Sequence, residues 1–512
     1  MTAPIDLIHR RGRFFTALSA LALGALYASA FAPLHLWWAG LPALAAGLVL
    51  TAHMRRPSSA FLAGFLFAFG AFAPGLSWTV RSMHEFGRIP LPLALLGLCA
   101  LAAVCALFWG AAAAVAARLL SRPAPRLIGL AALTAFAEWL RGAGCVDFGW
   151  LTPALAALDT PFAGLAPLGG THLINTALLA SLAAIGAAAA CRSGRSLLIL
   201  LLLPVTLLTA GLWGCVHDWS EPGEKVQVRL VQADLPVVDG WTRPDTVGRI
   251  SRAAEILRAP WPASEAPRVV LTPEGILSAD LLRLPARAGE ALTAFLDAAG
   301  APMLFNGFRR DDSGRWFNTS FFAADGRLTV TDKRKLVPFG EFVPPGFHWF
   351  VEAMGIPLSD LTPGAADQPN LAFGGVRAGV LICYENLDGE VLRTFWRDPA
   401  DAPGILFVTA NLGWFSPFVT DQHLDMTRLL ARAAARPAAS VNMSGKSAFI
   451  GPRGTMLAAP LPAGESVRTK VIETAAGAPT PFIRFGDLPA IVLMALLLTG
   501  ALITGRRPLA KE

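Results

Sequence analysis

The stretch GVLICYENLDG, residues 379–389, joins an apolar run typical of a buried strand to a cysteine, with a glutamate two residues further on. Cys383 is the only cysteine in the sequence between Val216 and Leu488. A thiol at the end of a strand is either a small core residue or a nucleophile. The stretch by itself leaves both alternatives open, so the surrounding sequence has to decide.

Two other predicted strand ends carry the residue types that a nucleophilic cysteine requires. Glu274 lies in LTPEG and Lys333 lies in TDKRKLVPFGEFVP, and α/β proteins place their chemistry at the ends of strands. A free thiol is mostly protonated at neutral pH, so it needs a base to accept its proton and a cation to favour the anion. Glu274 can supply the base and Lys333 the cation. Lys333 and a backbone N–H beside Cys383 could also stabilise the oxyanion of a tetrahedral intermediate.

These motifs, taken in their order along the chain, resemble those of a known protein superfamily. PEG, K-x-x-L-V-P-F-G-E and C-Y-E, in this order, resemble the nitrilase or carbon-nitrogen hydrolase superfamily. The resemblance implies an αββα sandwich in which Glu274 is the general base, Lys333 the electrostatic partner and Cys383 the nucleophile. Lys335 competes for the role of the lysine. The family pattern has its lysine eight residues before the PFGE glutamate, which selects Lys333, because Lys335 lies only six residues before Glu341.

The rest of the chain has the composition of a membrane protein. Hydrophobic residues make up 54% of the 512 residues and charged residues 15%, and the mean hydropathy is +0.51; these values are unlike those of a soluble enzyme. The basic residues lie in short clusters between apolar runs, which indicates membrane orientation rather than nucleic-acid binding. Crossing the hydrocarbon takes about 20 residues. Eight apolar stretches are candidate spans, near 14–32, 35–53, 60–80, 91–117, 127–141, 168–190, 196–215 and 488–505.

The charges around these spans predict an orientation. With the N-terminus inside, arginine and lysine concentrate in the inside loops, and the positive-inside rule places residues 216–487 outside the cytoplasm. The fifth span is the weakest, because Glu138 and Arg141 lie at its end and ionisable groups at that depth are costly unless paired. A cleaved signal peptide ending at Ala28-Ser29-Ala30 is the alternative for the first span. The spans that follow at once favour a retained helix.

These observations predict the organisation of the whole chain. We expect a polytopic α-helical membrane domain of about eight spans that carries an α/β nitrilase-like αββα sandwich, inserted before the last span. The membrane domain is predicted over residues 1–215 with about seven spans, the catalytic domain over 220–480 and the final span over 488–505. Strands are predicted at 226–235, 268–275, 302–308, 317–324, 376–385 and 404–414, with helices at 246–259 and 289–300.

Further motifs narrow the resemblance. LVPFGEFVP, TPG, GVLICYEN, NLGWF and DQH, together with spans on both sides of the domain, resemble the apolipoprotein N-acyltransferase family over nearly the whole chain. This resemblance implies that Glu341 is a supporting second glutamate and that Tyr384 and Glu385 shape the site behind the cysteine. It also aligns Trp241 with a tryptophan that the family uses on a mobile segment, which makes Trp241 a candidate substrate-binding residue.

Two departures from the family pattern stand out. The family usually reads NDGWF where this chain has Leu412 in place of the acid, and the family's RAxE-type helix is written LLARAAARP, residues 429–437, with no glutamate. These departures put the efficiency of the reaction or the choice of acceptor in doubt more than the reaction itself. The isolated His348 and His423 are interpreted as structural residues rather than ligands.

The resemblance implies a two-step acyl transfer that uses no cofactor and no metal. A membrane phospholipid, typically phosphatidylethanolamine, would acylate Cys383, and the thioester would then acylate the α-amine of an apolipoprotein's diacylglyceryl-cysteine. The expected protein is a monomeric, multi-pass protein of the bacterial inner membrane with cytoplasmic termini and a periplasmic catalytic domain, and without a nucleic-acid partner. The alternatives are a membrane-tethered amidase acting on a small amide, and an inactive lipid-binding or transport protein. The scarcity of charges within the spans counts against transport.

Overall fold

The structure is a computed structural model that describes residues 3–143, 147–191, 193–237, 246–349, 352 and 360–505. Trp241, the candidate substrate-binding residue, lies outside the described residues. The chain divides into two compact units. The first comprises Met1–Val80, Leu91–His217 and Phe485–Glu512, and the second comprises Arg81–Pro90 and Asp218–Arg484.

The first unit is built from long apolar helices. In chain order they are α1 (Ala3–Ala28), α2 (Trp37–His53), α3 (Pro57–Gly75), α4 (Leu91–Leu119), α5 (Pro123–Ala143), α6 (Ala166–Ala189), α7 (Gly194–Val216) and, after four helices of the second unit, α12 (Leu488–Gly505). Each predicted span coincides with one of these helices. Because their backbone groups are paired within each helix, such segments are suited to an apolar surrounding.

Five helices in the described part of the chain are long and apolar enough to cross a membrane. They are Pro57–Gly75, Leu91–Leu119, Pro161–Ala189, Gly194–Val216 and Leu488–Gly505. The other three predicted spans fall on α1, whose apolar stretch is the shorter Phe14–Ala28, on α2, which has 17 residues, and on α5, which carries charged residues. The membrane character of the unit is therefore clear, and the predicted number of eight spans is approximate.

The charges at the end of the fifth predicted span form a buried pair. Arg141 Nη2 lies 2.7 Å from Glu138 Oε2, and both side chains are fully buried. Trp109 Nε1 donates a hydrogen bond of 2.7 Å to Glu138 Oε1, and Arg141 Nη1 donates to the carbonyls of Phe148 and Trp150. Opposite charges that are paired and hydrogen-bonded can remain in an apolar interior. This pairing explains how α5 keeps two ionised residues inside the unit.

The second unit contains two β-sheets. One sheet has the strand order β11-β1-β2-β3-β4-β5 and the other β10-β9-β8-β7-β6. The strands are β1 (Glu221–Gln232), β2 (Arg268–Leu271), β3 (Met303–Arg310), β4 (Trp316–Ala324), β5 (Arg327–Asp332), β6 (Leu371–Phe373), β7 (Val376–Ile382), β8 (Ile405–Ala410), β9 (Ala438–Asn442), β10 (Ala448–Ile450) and β11 (Ser466–Ala476). The helices are α8 (Thr246–Leu257), α9 (Ala286–Ala299), α10 (Gly389–Thr394) and α11 (Val419–Ala434).

Both sheets contain parallel strands, and the candidate residues follow the carboxyl ends of these strands. β1, β2 and β3 are parallel in one sheet, and β7, β8 and β9 are parallel in the other. Helices α8 and α9 pack through Ile250 and Phe295 onto the core of the first sheet, which includes Val270 and Phe305. The predicted αββα sandwich is confirmed. The candidate residues Glu274 and Cys383 therefore follow the carboxyl ends of β2 and β7, the position at which α/β proteins place their chemistry.

Several strand predictions differ from the observed strands. Four predicted strands extend too far at their C-terminal end: β1 ends at Gln232 instead of 235, β2 at Leu271 instead of 275, β7 at Ile382 instead of 385, and β8 at Ala410 instead of 414. After β2, β7 and β8 the chain enters turns that carry polar or reactive side chains, including the 3₁₀ turn Cys383–Leu387. Strands β5, β6, β9, β10 and β11 were not predicted. β9 reads AASVN, whose small residues lack the β-branched or aromatic pattern of a strand.

Candidate active site

The backbone holds Cys383 in an unusual conformation at the end of β7. Its φ angle is +52°, in the left-handed region that residues with a Cβ seldom occupy. The residue opens the 3₁₀ turn Cys383–Leu387, and 8% of its surface is exposed. Strained backbone of this kind is found at functional sites, where the surrounding structure enforces it. The fold therefore presents this thiol at a strand end rather than burying it within the sheet.

Lys333 lies between two carboxylates. Its Nζ is 3.2 Å from Glu274 Oε1 and 2.8 Å from Glu341 Oε2, and 1% of its side chain is exposed. Lys333 directly follows β5, and its N–H donates to the carbonyl of Asn318 on β4 at 2.8 Å. The position of the ammonium group is therefore set by the sheet and by both glutamates.

An asparagine that the motifs did not identify bridges the two glutamates. Asn318 Nδ2 donates to Glu274 Oε1 at 2.8 Å and to Glu341 Oε1 at 2.7 Å. Its Oδ1 accepts from Asn306 Nδ2 at 2.9 Å, and Asn306 Oδ1 accepts from the N–H of Gly275 at 2.6 Å. The two amides thus orient the carboxylates and tie the loop of Glu274 to strands β3 and β4. A polar residue inside an apolar strand was the available sequence signal.

The remaining oxygens of the glutamates also have partners. Glu274 Oε2 accepts a hydrogen bond of 3.0 Å from the N–H of Asn411, and Glu341 Oε2 accepts one of 2.8 Å from the N–H of Val337. The loop that carries Glu274 is held from α8, because Arg249 donates to the carbonyls of Gly275 and Ile276. A carboxylate held in this way keeps its geometry through a reaction, which is the requirement for a general base.

The electrostatics of the cluster keep the thiol protonated. Burial raises the pKa of Cys383 well above its ordinary value, and the negative charge of the nearby Glu274 carboxylate raises it further. Burial alone would lower the pKa of Lys333, but the facing carboxylates of Glu274 and Glu341 raise it well above its ordinary value. The site therefore holds a neutral thiol beside a carboxylate that can accept its proton, and a permanent positive charge beside both.

Glu385 joins the turn of the nucleophile to the segment of the lysine. Its Oε2 accepts from the N–H of Ile382 at 2.8 Å, and its Oε1 accepts from the N–H groups of Arg334 at 2.5 Å and Lys335 at 3.2 Å. The side chain is fully buried, and burial raises the pKa of Glu385 despite the nearby Arg334 guanidinium. Its position is that of a support for the site, two residues behind Cys383.

The second lysine of the motif lies elsewhere. Lys335 Nζ is 2.7 Å from Asp388 Oδ2 and 5.6 Å from the centre of the Tyr384 ring. Tyr384 is buried next to the cysteine. The structure thus brings Lys333, and not Lys335, to Glu274, and it places Tyr384 and Lys335 against each other behind the nucleophile.

The motifs NLGWF and DQH follow β8, and one of their residues, His423, contacts the turn that Cys383 begins. Leu412, at the position where an acid was expected, is buried in the short turn Leu412–Trp414. Asp421, in the DQH motif on α11, pairs with Lys446, and His423 Nε2 lies 3.3 Å from the carbonyl oxygen of Cys383. No group of three or more His, Cys, Asp or Glu side chains in the described part of the chain is arranged to hold a metal ion. The site is therefore built from a thiol, carboxylates and an ammonium group.

Comparisons with known proteins agree with this architecture. Residues 227–479 match the family model of carbon-nitrogen hydrolases, and residues 23–185 match that of the apolipoprotein N-acyltransferase N-terminal domain. A carbon-nitrogen hydrolase of known structure from Helicobacter pylori is 14% identical, with a TM-score of 0.35, and the match covers 56% of this chain and 96% of that one. The match to the family model identifies residues 227–479, in the second unit, as a carbon-nitrogen hydrolase domain.

Relatives of nearly full length narrow the assignment. An apolipoprotein N-acyltransferase of Bordetella bronchiseptica is 36% identical over 95% of this chain and 96% of its own length. An apolipoprotein N-acyltransferase of Ralstonia nicotianae is 32% identical over 97% of this chain and 95% of its own length. The chain belongs to the apolipoprotein N-acyltransferase family.

Proposed function

We propose that this protein transfers an acyl chain from a membrane phospholipid to the N-terminal diacylglyceryl-cysteine of apolipoproteins, through a thioester on Cys383. The observation that carries the proposal is the buried cluster in which Lys333 contacts Glu274 and Glu341, and in which all three charged groups act electrostatically on the Cys383 thiol. Such a cluster supplies a nucleophile, a base for its proton and a cation for the developing oxyanion. The activity named for the relatives is the reason to choose this acyl transfer among those the cluster could perform.

In the first step the thiol attacks the ester of the phospholipid. Glu274 accepts the proton from Cys383 Sγ as sulfur bonds to the ester carbonyl carbon. The negative charge that develops on the carbonyl oxygen is stabilised by Lys333 and by the N–H of Tyr384. The ester C–O bond then breaks, and Glu274 returns the proton to the glycerol oxygen. A lysophospholipid leaves, and the acyl group remains on sulfur.

In the second step an amine replaces the phospholipid. The free α-amine of the diacylglyceryl-cysteine attacks the thioester carbonyl, and Glu274 removes a proton from the attacking nitrogen. The C–S bond breaks, the proton goes to Cys383 Sγ, and the product is an amide. Asn318 holds Glu274 and Glu341 in place throughout, since its Nδ2 donates to both carboxylates. Glu341 in turn holds Lys333, whose Nζ it contacts.

An aromatic surface near the site supports lipid substrates. In the segment after Lys333, Phe339, Phe347 and Trp349 have 43%, 47% and 67% of their surface exposed, and the rings of Phe339 and Phe347 pack edge to face at 5.3 Å. Exposed aromatic residues next to a reactive cluster are unfavourable in water but suit contact with lipid. Phosphatidylethanolamine is the proposed donor.

The proposal includes a location. The expected protein is a monomer in the bacterial inner membrane. The distribution of arginine and lysine supports an orientation with both termini in the cytoplasm and the hydrolase-like domain in the periplasm. On this orientation the domain faces the side to which lipoproteins are exported. Acyl chains of both substrates could then stay in the bilayer while the reaction takes place beside it.

The decisive experiment separates acyl transfer from hydrolysis. Purified protein in detergent, incubated with phosphatidylethanolamine alone, should gain one fatty-acyl mass on the peptide that contains Cys383, because no amine is present to remove it. Cys383→Ser should gain none. Addition of a synthetic diacylated lipopeptide should discharge the adduct and yield a triacylated product. The absence of the adduct under conditions in which the complete reaction runs would rule out the covalent mechanism, and a free fatty acid without acylated lipopeptide would show that the protein hydrolyses the phospholipid ester instead of transferring the acyl chain.

A further inference from the structure

A histidine side chain contacts the backbone of the nucleophile Cys383 and not its thiol. His423 on α11 has its Nε2 3.3 Å from the carbonyl oxygen of Cys383, and 1% of its surface is exposed. Asn386, three residues after the cysteine, donates from Nδ2 to the His423 carbonyl at 3.0 Å and to Thr427 Oγ1 at 3.0 Å. Helix α11 and the turn of the cysteine are therefore joined by hydrogen bonds in both directions.

The carbonyl that His423 contacts belongs to the peptide unit that also carries the N–H of Tyr384, the proposed donor to the oxyanion. The C=O of Cys383 and the N–H of Tyr384 lie in one planar unit, and the cis peptide bond among the described residues is elsewhere, at Ala32–Pro33. In a trans unit the C=O and the N–H point in opposite directions. Whatever fixes the direction of the Cys383 carbonyl therefore fixes the direction of the Tyr384 N–H.

This peptide unit needs support from outside its own turn. Cys383 has a positive φ angle, a conformation that a residue with a Cβ leaves unless it is held. The turn that follows is a single 3₁₀ segment, Cys383–Leu387, and hydrogen bonds in such segments have poorer geometry than those of an α-helix. A hydrogen bond from His423, on the separate and well-buried helix α11, therefore holds this peptide unit more rigidly than the turn itself does.

We propose that His423 is a positioning residue for the oxyanion donor: by holding the carbonyl of Cys383, it directs the N–H of Tyr384 toward the carbonyl oxygen of the acyl group under attack. This inference rests on the proposed function, because it concerns acyl transfer at Cys383. His423 touches neither the substrate nor the thiol in this role. His423 acts on the oxyanion only by fixing the orientation of the peptide unit between Cys383 and Tyr384.

The chemistry of the imidazole agrees with a fixed donor and not with a proton carrier. A carbonyl oxygen only accepts hydrogen bonds, so Nε2 of His423 carries the hydrogen. Burial lowers the pKa of His423 to about 4, so the ring is neutral near pH 7 and Nδ1 carries no proton. Within the described residues, Nδ1 is buried without a hydrogen-bond partner. The ring is thus held in a single tautomer by the contact with Cys383.

Two rates measured on the same protein test the proposal. Acylation of Cys383 by phosphatidylethanolamine passes through an oxyanion, whereas alkylation by iodoacetamide is a displacement at a tetrahedral carbon and does not. His423→Leu should slow acylation by about 100-fold, the usual effect of losing one oxyanion donor, and should leave the alkylation rate close to that of the wild type. His423→Gln, which can place an amide N–H near the position of Nε2, should recover most of the acylation rate.

Two further variants provide matched controls. His423→Asn has the same amide as His423→Gln but is one methylene shorter, so it should alkylate normally and acylate slowly; this pair remains informative if His423→Leu does not fold. Thr427→Val removes the hydrogen bond that Thr427 donates to the His423 carbonyl and the one that it accepts from Asn386. Because the contact of His423 Nε2 with the Cys383 carbonyl remains, this variant should lower Tm without changing the ratio of the two rates.

The outcomes distinguish this inference from the proposed function. Equal slowing of acylation and alkylation in His423→Leu would show that the residue supports the thiol or the fold, and the inference would be wrong. Equal acylation rates in the Gln and Asn variants would also overturn it. A wild-type protein that never forms an acyl adduct would instead overturn the proposed function, whatever the variants do.

Discussion

Lys335 forms an ion pair with Asp388, with 2.7 Å between Nζ and Oδ2, and this contact commits it to the turn behind the nucleophile. Lys333, two residues earlier, contacts Glu274 and Glu341 instead. We therefore expect Lys333→Met to reduce the rate of thioester formation by at least about 100-fold, because it removes a cation from the oxyanion site. Lys335→Met should retain most of the rate. A mass-spectrometric time course of the adduct measures both, and the opposite order would exchange the roles of the two lysines.

The two glutamates should differ in their contributions. Glu274→Gln removes the proposed base and should lower both half-reactions by about 10²- to 10⁴-fold. Glu341→Gln keeps a side chain of the same size but weakens the contact with Lys333, so a loss of about 10- to 100-fold is expected, as for one charge-assisted hydrogen bond. Equal losses in both half-reactions for the two variants would refute this division of roles. A defect of Glu341→Gln confined to the acceptor step would still agree with it.

Asn318 offers a test of the bridge between the glutamates. Asn318→Leu leaves both carboxylates without the shared donor and should cost about 1–3 kcal/mol of stability, together with a slower acylation. Asn318→Asp is nearly isosteric but places a third carboxylate against Glu274 and Glu341, where like charges oppose ionisation. At neutral pH we expect acylation rates to fall in the order wild type, Leu, Asp. An Asp variant as active as the wild type would show that the amide donor has no role.

The pH dependence of alkylation reports the charge around the thiol. Since burial and Glu274 raise the pKa of Cys383, the thiol is protonated at neutral pH, and its reaction with iodoacetamide should rise with pH beyond the range of an ordinary cysteine. Glu274→Gln removes a negative charge that favours the thiol, so the midpoint should move to lower pH. Lys333→Met removes a positive charge that favours the thiolate, so the midpoint should move to higher pH. Shifts in the reverse directions would contradict the assigned electrostatics.

The orientation in the membrane can be tested with reporter fusions. A fusion after Glu224 and a fusion at the C-terminus should report opposite sides of the membrane, because the arginine and lysine clusters predict a periplasmic domain and cytoplasmic termini. A periplasm-active reporter should work only at the first position and a cytoplasm-active reporter only at the second. The same side for both fusions would overturn the proposed orientation.

The features that were predictable from sequence are those that depend on local pattern. Apolar runs located the eight long helices that the structure describes in the first unit, because hydropathy is a property of each segment alone. Motif spacing selected Lys333 over Lys335, and the structure shows the former beside Glu274. The fifth span illustrates the limit. Its charges Glu138 and Arg141 were visible as an exception, but their partner Trp109 lies on another helix and could not be inferred from the segment.

The features that were not predicted depend on which segments become neighbours. Asn318 reaches Glu274 because β4 pairs with β3 in the register that sets Asn318 opposite Phe308. The register depends on both strands, so it cannot be predicted from the sequence of either strand alone. His423 was interpreted as a structural residue, and its contact with Cys383 arises from the packing of α11 on the 3₁₀ turn. Asparagine and histidine are common in many environments, so their type gave no signal comparable to a cysteine at a strand end.

Glu385 has a consequence for the order in which the protein matures. Its carboxylate accepts hydrogen bonds from Ile382 in its own turn and from Arg334, which lies 51 residues earlier in the chain at the end of the opposite sheet. Until the two sheets pack together, the segment of Lys333 has no anchor beside the cysteine. A newly made chain therefore carries an ordinary, unactivated thiol during its synthesis and membrane insertion. The capacity for acyl transfer appears only when the sandwich closes, because only then do Glu274 and Lys333 lie beside the thiol.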